Sequence, residues 1–147
     1  MSKLIIGIDP GKSGAIAVIW PDGEMYRTAG RGDWTPTDQV DWLLQFDLDG
    51  AVAYIEKVHS SPQMGVVSAF SFGRSLGFLL GVLTAAKIPY REVTPQKWQK
   101  AMACMSRGDK NVTKHAAQKL WPAIKITHRD ADARLIAEYG RRIELQR

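Results

Sequence analysis

The sequence predicts an α/β fold in which a mixed, five-stranded sheet is flanked by helices. Two observations support this prediction. Short apolar runs of strand length occur early in the chain, with tight turns between them. Later in the chain, segments with the apolar spacing of helices lie between the apolar runs and after the last of them. This order is expected for a sheet covered by helices.

The first strands are predicted as a hairpin followed by a third strand. Residues 4–9 and 15–20 are apolar, and Pro10 to Gly14 between them has the composition of a turn. Residues 24–27 follow a second tight turn, Pro-Asp-Gly. Residues 29–37 are expected to form a loop, and Thr37 is expected to cap a helix that carries Val40, Leu43 and Leu44 on one face.

The later elements alternate between strands and helices. Residues 51–56 form a predicted buried strand, and residues 90–93 a second one. Between them, residues 66–87 predict a long helix with glycines at four-residue spacing, at positions 73, 77 and 81. Thr94 and Pro95 have the cap and first-turn chemistry of another helix, and residues 111–120 and 129–143 predict the last two.

Composition indicates a globular protein with a polyanionic partner. The chain has 147 residues, which is typical of one domain, residues 1–147; 45% are hydrophobic and 24% charged. A net charge of +5 and a pI near 9.5 favour nucleic acid. The single cysteine, Cys104, excludes an internal disulfide and a multi-cysteine zinc site and fits the cytoplasm. Residues 76–88 are too interrupted to span a membrane, and residues 1–8 do not read as a signal peptide.

Three acidic residues lie where predicted elements end or begin. Asp9 closes the first strand, Glu56 closes a central strand, and Asp132 falls in the first turn of the last helix. Acids at strand ends can face the crevice at the edge of a sheet. Carboxylates from separate elements suit Mg²⁺ or Mn²⁺, and two such ions about 4 Å apart can promote phosphodiester cleavage. Each acid alone is equally well explained as a solvated strand end or helix cap; their combination predicts a metal site.

The fourth group of this site has two candidates. His128 is four residues before Asp132, so on a continuous helix the two share a face. Asp130 points away from Asp132 on a regular helix and suits a charge at the helix N-terminus. We favour His128. The Gly11-Lys12-Ser13 turn is not a phosphate-binding P-loop, because the first glycine of that motif would fall at Ile6.

Several segments together resemble one family. They are GIDPG at 7–11 with SGA at 13–15, YIEKV at 54–58, SAF at 68–70 with FGRSLG at 72–77, VTP at 93–95 with Lys97, Lys110 and Val112, and ADA at 131–133 with LIA at 135–137. In this order they resemble the RuvC-type Holliday junction resolvases, most closely the short phage-type members. Many members carry two acids one turn apart on the last helix; here Arg129 and His128 precede Asp132, and some members do use histidine.

The resemblance implies an RNase H-like fold and a structure-specific endonuclease that leaves a 5′-phosphate and a 3′-hydroxyl. It implies Mg²⁺ or Mn²⁺, two ions per site, with Asp9 bridging both, Glu56 binding one, and Asp132 with His128 holding the other. It also implies a homodimer, with residues 66–83 as the interface; burial of this helix inside the monomer is the competing account. DNA contacts fall to Lys97, Lys100, Lys110 and Lys114; a solvated helix face is the competing account for each lysine. The crossover is probed near His59 and Gln63, with Phe70 and Phe72 as stacking candidates; core packing is the competing account for at least one of these two.

Other functions remain open. A nuclease of the same fold acting on flaps or other branched DNA is barely separated from a resolvase by sequence. A DNA-binding module without catalysis is opposed by the three intact acids. An ATPase of the actin or sugar kinase type begins with a similar strand and aspartate, but it needs duplicated domains for which 147 residues leave no room.

Overall fold

The computed structural model describes residues 3–147, and at Met25 and Tyr26 the description covers the backbone. Met1 and Ser2, part of the segment predicted not to be a signal peptide, lie outside the described residues. The elements follow one another as β1 (Ile5–Ile8), β2 (Ala15–Ile19), β3 (Met25–Gly30), α1 (Pro36–Leu43), β4 (Val52–Glu56), α2 (Val66–Ala85), β5 (Tyr90–Val93), α3 (Pro95–Ala101), α4 (Lys110–Leu120) and α5 (Ala131–Leu145).

The strands form one mixed sheet in the order β3-β2-β1-β4-β5. The first three strands are antiparallel neighbours, as the predicted hairpin and following turn require. Strands β4 and β5 add in parallel to β1, each after a helical connection. The predicted mixed, five-stranded sheet is therefore confirmed.

Helices cover both faces of this sheet because apolar residues on the central strands alternate between the faces. Ile5 and Tyr54 pack with α3, α4 and α5. Ile6 and Ile55, one residue further along each strand, pack with α1 and α2. The continuous burial of β1 and β2 follows from this arrangement, since neither face meets water.

Helix α5 lies directly against β1 because Gly7 has no side chain. A Cβ atom at Gly7 would overlap the Ala133 carbonyl oxygen and the Ala137 nitrogen. Ala133 and Ala137 are themselves small and fully buried, so the helix and strand backbones approach closely. This contact places the first turn of α5 beside the carboxyl end of β1.

Several element boundaries differ from the predicted ones. Helix α1 is capped by Thr35 rather than Thr37: the Thr35 hydroxyl accepts from the Asp38 amide, and the Asp38 carboxylate accepts from the Thr35 amide. Strand β3 continues to Gly30, into the segment predicted as loop. Helix α5 begins at Ala131 rather than at residue 129, so His128 and Arg129 lie in the preceding turn.

Helix α2 exposes apolar residues near its start and buries few along its length. Only Leu79 and Leu83 are buried, whereas Val67 is 84% and Phe70 72% exposed. A Cβ atom added at any glycine of the predicted stripe, at positions 73, 77 and 81, would meet no atom within 4 Å. Burial of the glycine stripe inside the monomer is therefore wrong, and this face of α2 lacks a partner within the described chain.

Helix α2 contains a longer apolar stretch than residues 76–88, the segment predicted to be too interrupted to span a membrane. By length and composition alone, α2 is able to cross a membrane, with 20 residues and a mean hydropathy of 1.7. It is the one helix of residues 3–147 with this property. The expectation that the chain does not bind a membrane stays a prediction.

Candidate active site

The three acidic residues come from adjacent elements at one edge of the sheet. Strands β1 and β4 are parallel neighbours in which Ile8 pairs with Ile55. Asp9 and Glu56 are the next residues of these two strands, so both lie at the carboxyl edge. Asp132 lies in the first turn of α5, which packs against β1. The structure thus brings the three predicted acids to the same region.

Asp9 and Asp132 line a shared cavity of about 390 Å³. Its wall also contains three groups that suit a phosphate, from Lys110, His128 and Arg129. The remaining lining residues are small or polar: Gly11, Ser13, Gly14 and Thr113. The cavity is open to solvent and combines anionic with cationic groups, as a site for a metal ion and a phosphodiester would.

The Asp9 carboxylate is partly buried, and its surroundings act on it in opposite directions. Burial raises the pKa of Asp9, and the negative charge of Asp132 raises it further. The Gly11 amide donates to Asp9 Oδ1 at 3.1 Å and lowers this pKa, as do the positive charges of Arg31 and Lys110. The net effect is a raised pKa, which the Gly11 amide and the two cations oppose.

The pKa of Glu56 is also raised. Burial raises its pKa to about 7, and the charges of Asp9 and Asp132 contribute in the same direction. The indole Nε1 of Trp98 donates to Glu56 Oε2 at 2.8 Å and opposes this rise. Trp98 is completely buried in α3, so it also fixes the direction of the Glu56 side chain.

The surroundings of Asp132 also act on its pKa in opposite directions. Burial raises its pKa, whereas a hydrogen bond with the Thr113 side chain and the charge of Lys110 lower it. Thr113 is buried on α4 and Lys110 begins that helix. Helix α4 therefore supplies the groups that favour the ionised form of Asp132.

The donor set fits a hard divalent cation. Three partly buried carboxylates repel one another, and a cation among them would remove that repulsion. Within residues 3–147, however, no three His, Cys, Asp or Glu side chains are close enough to hold a metal ion as they stand. Glu56 does not line the cavity shared by Asp9 and Asp132. The chemistry of the residues agrees with a metal site, and a cation held by all three acids would require their side chains to move closer together.

The two candidates for the fourth group differ in their surroundings. His128 is exposed and lines the cavity with Asp9 and Asp132, although it precedes the helix on which it was predicted. The Asp130 carboxylate accepts from the Thr127 amide at 3.0 Å and pairs with Arg134. Asp130 therefore has structural partners at the start of α5, and the preference for His128 stays a prediction.

The predicted DNA-contacting lysines occupy different positions. Lys110 lines the carboxylate cavity. Lys114, one turn along α4, lines a separate depression of about 820 Å³ beside Cys104 and His115. Lys97 and Lys100 are exposed on α3. Of the four, Lys110 alone is placed next to the predicted metal ligands.

Sequence reasoning missed three residues that hold the acids in place. Trp98 and Thr113 contact Glu56 and Asp132, and the buried Arg31 binds the loop that carries Asp9. Only Trp98 gave a signal, since an indole nitrogen on a buried face needs an acceptor. Arg31 and Thr113 gave no comparable signal.

We expect Glu56→Gln to stabilise the metal-free protein at about pH 8. The folded-state pKa of Glu56 is about 7, above the ordinary 4.5, so the folded state binds more protons between these values. Stability therefore falls as pH rises through this window, by about 1.4 kcal/mol per unit of pKa shift. A neutral glutamine that still accepts from Trp98 should recover roughly 2 kcal/mol.

The measurement is urea unfolding with a chelator at about pH 8 and about pH 4.5. The advantage of Glu56→Gln should be present at the higher pH and absent at the lower. Glu92→Gln, an exposed glutamate on β5, is the matched control. If Glu56→Gln were less stable than the wild type at both pH values, the claim that the ionised Glu56 destabilises the metal-free fold would be refuted.

Two structures of RuvC from Thermus thermophilus have similar folds. One, "T. thermophilus RuvC in complex with Holliday junction substrate", superposes with a TM-score of 0.72 at 16% identity over 98% of this chain and 96% of that chain. The other, "Thermus thermophilus RuvC structure", gives 0.62 at 19% identity over 99% and 97%. No protein-family model and no curated protein sequence matches the chain. At these identities the likeness establishes the fold: the chain has a RuvC-type, RNase H-like fold, as its sequence predicts.

Proposed function

We propose that this chain is a metal-dependent endonuclease that resolves four-way DNA junctions by paired symmetric nicks. The observation that carries the proposal is the convergence of Asp9, Glu56 and Asp132 at one edge of a RuvC-type sheet, beside cationic groups. One of the similar structures is itself a RuvC bound to a Holliday junction substrate. A basic chain with a net charge of +5 suits such a polyanion.

The acids would hold Mg²⁺ or Mn²⁺, two ions per site, with His128 beside Asp132. When bound, such ions activate the attacking water and stabilise the leaving oxygen of the phosphodiester. The raised pKa values of Asp9, Glu56 and Asp132 are expected where carboxylates are gathered for a cation. Trp98 and Thr113 then orient Glu56 and Asp132.

The cationic side of the cavity would bind the scissile phosphate. Lys110 lies near enough to Asp9 and Asp132 to act on their charges, and Arg129 shares the cavity wall. An ammonium and a guanidinium there would hold phosphate oxygens against the carboxylate edge. Hydrolysis would leave a 5′-phosphate and a 3′-hydroxyl.

A second copy of the chain would cover the exposed face of α2. Two symmetric nicks need two active sites, and a two-fold dimer presents the same patch from each partner. Val66, Val67 and Phe70 are exposed apolar residues near the start of α2, and the glycine stripe continues along it. Small residues allow two such helices to approach closely, so we place the dimer contact on this helix.

The crossover would be probed by the segment between β4 and α2. His59 and Gln63 are exposed in this segment, and Phe70 is exposed one turn into α2. Phe72, the other aromatic candidate, is half-buried. Phe70 is therefore the better candidate to stack on an unpaired base, and it can do so only where the second copy leaves it uncovered.

A DNA-binding module without catalysis is the second candidate. It is favoured by one observation, that residues 3–147 hold no group of three potential ligands ready for a metal ion. The retention of three charge-coupled acids at the sheet edge opposes it. The two functions differ in whether added metal produces nicks.

We expect Lys110→Gln to weaken junction binding and to reduce its salt dependence. Loss of one phosphate contact should lower the slope of log affinity against log salt by about 1, with little change in sequence preference. The measurement is binding to a four-way junction at several salt concentrations in a chelator. Lys125→Gln, an exposed lysine outside the cavity, is the control. Equal slopes for Lys110→Gln and the wild type would remove Lys110 from the phosphate site.

The test of the proposed function compares a labelled four-way junction, a flap and a linear duplex, each with and without Mg²⁺ or Mn²⁺. We expect metal-dependent nicks in two opposed strands of the junction and none in the duplex. Binding without cutting in either metal would support the non-catalytic module. Cutting of the flap alone would retain the nuclease and refute the resolvase.

A further inference from the structure

Arg31 is a buried cation that the proposed chemistry does not use. It follows β3 directly, and the residue is only 6% exposed. Burial lowers its pKa, and the charge of Asp9 raises it. Among the described residues, no carboxylate lies within ion-pair distance of its guanidinium. A buried charge that relies on neutral acceptors is costly unless those acceptors are well placed.

The acceptors of Arg31 belong to three separate parts of the fold. Its Nε donates to Gln39 Oε1 of α1 at 2.9 Å. Its Nη1 donates to the carbonyl oxygens of Gly11 at 2.9 Å and Asp9 at 3.2 Å. Its Nη2 donates to the Ser75 hydroxyl of α2 at 2.5 Å. One planar group therefore joins two helices to the loop that carries Asp9.

Ser75 also binds the loop that carries Asp9. Its hydroxyl accepts from Arg31 and donates to the Pro10 carbonyl oxygen at 3.0 Å. Arg31 and Ser75 thus bind three consecutive carbonyl oxygens, those of residues 9, 10 and 11. The peptide planes on the carboxyl side of Asp9 are fixed, including the one whose Gly11 amide donates to the Asp9 carboxylate.

The same loop is closed tightly from its other side. The Arg31 amide donates to the Gly14 carbonyl oxygen at 2.9 Å, and the Asp9 amide donates to that of Ala15 at 3.0 Å. A Cβ atom at Gly14 would overlap the Asp9 carbonyl oxygen. These contacts restrict one side of the loop, so its remaining freedom depends on the Arg31 and Ser75 contacts on the other side.

We propose that Arg31 and Ser75 are positioning residues that set the Asp9 carboxylate for metal binding and link it to α2. The proposal rests on the proposed metal site. Ser75 lies on the inner side of the helix whose outer face is exposed, so a contact made by α2 would reach the Asp9 loop through two hydrogen bonds. A purely structural contact would change stability; a positioning contact changes the metal affinity of the folded protein.

The test uses Ser75→Ala, which removes both hydrogen bonds of the hydroxyl, and Arg31→Lys, which keeps the charge but loses the planar donor group. Thr84→Ala is the matched control, since among the described residues the Thr84 hydroxyl bonds only to the Leu80 carbonyl oxygen of its own helix. Manganese affinity is measured by calorimetry with the metal alone. Hydrogen exchange of the Gly11 and Gly14 amides is measured without metal, and folding is monitored by thermal unfolding.

We expect Ser75→Ala to bind manganese roughly 10-fold more weakly and Arg31→Lys more weakly still. Exchange at Gly11 and Gly14 should accelerate, while Thr84→Ala matches the wild type. If Arg31→Lys fails to fold, Ser75→Ala alone decides. Wild-type manganese affinity and exchange in Ser75→Ala would overturn the positioning role. A wild-type protein that binds no manganese would instead refute the metal site, and faster exchange in Ser75→Ala would then show the loop contact alone.

Discussion

Asp9→Asn is expected to lower metal-dependent cleavage of a four-way junction by more than about a thousandfold, equivalent to about 4 kcal/mol of transition-state stabilisation. The charges of Asp132, Arg31 and Lys110 all act on the pKa of Asp9. Asparagine keeps the size of the side chain and can still accept from the Gly11 amide. The substitution therefore removes one negative charge from the site with little change in packing.

The same variant should bind junction DNA at least as well as the wild type in a chelator, because it loses a negative charge near the phosphate. Asp132→Asn is expected to behave in the same way. Asp41→Asn, an exposed aspartate on α1, is the control and should cut normally. Magnesium-dependent cleavage that survives in Asp9→Asn or Asp132→Asn would contradict the assignment of these acids.

Val67→Glu combined with Phe70→Glu is expected to weaken dimer formation by more than about 100-fold. These side chains are 84% and 72% exposed, so the substitutions leave the core of the monomer intact. In a two-fold dimer each substitution occurs twice, with a loss of about 1.5–3 kcal/mol for each apolar side chain and added repulsion between carboxylates. The folded monomer should lose paired nicking, and its junction binding should weaken as well, because Phe70 is also the proposed base-stacking residue.

Sedimentation of the free protein and of its junction complex measures this effect. Leu145→Glu, 62% exposed at the end of α5, is a matched loss of an exposed apolar side chain and should remain dimeric. A wild-type protein that is monomeric both free and on junction DNA would refute the dimer. Binding of the wild type to lipid vesicles through α2 would contradict the second copy as the occupant of this face.

The sheet and its acidic edge could be predicted because their signals are local. Each buried strand is a short apolar run, and an acid follows two of them at the point where the chain leaves the core. The sequence also indicates the cap of α1, because Thr35 is followed by Pro36 at the first helical position and by Asp38 three residues later. Thr37 has no acid at that spacing, so the sequence itself favours Thr35 over Thr37 as the cap.

The supporting residues could not be predicted because their partners are distant. Arg31 meets Ser75 across 44 residues, and Trp98 meets Glu56 across 42. No periodicity marks either pair. Helix α5 begins later than predicted because the side chains of Thr127 and Asp130 accept hydrogen bonds from each other's amides and form a turn, although His128 and Arg129 are compatible with a helix. The exposure of α2 could not be predicted for another reason. An apolar helix has the same sequence pattern whether the core of its own chain or a partner protein covers it.

The central claim is most directly tested by ligation of the cleavage products. A four-way junction is cut in magnesium, the nicked strands are mapped, and the products are treated with DNA ligase. The account predicts two nicks at symmetric positions in opposed strands, each sealed by ligase because a 5′-phosphate adjoins a 3′-hydroxyl. Nicks at unrelated positions, ends that ligase cannot seal, or an intact junction in both magnesium and manganese would contradict it.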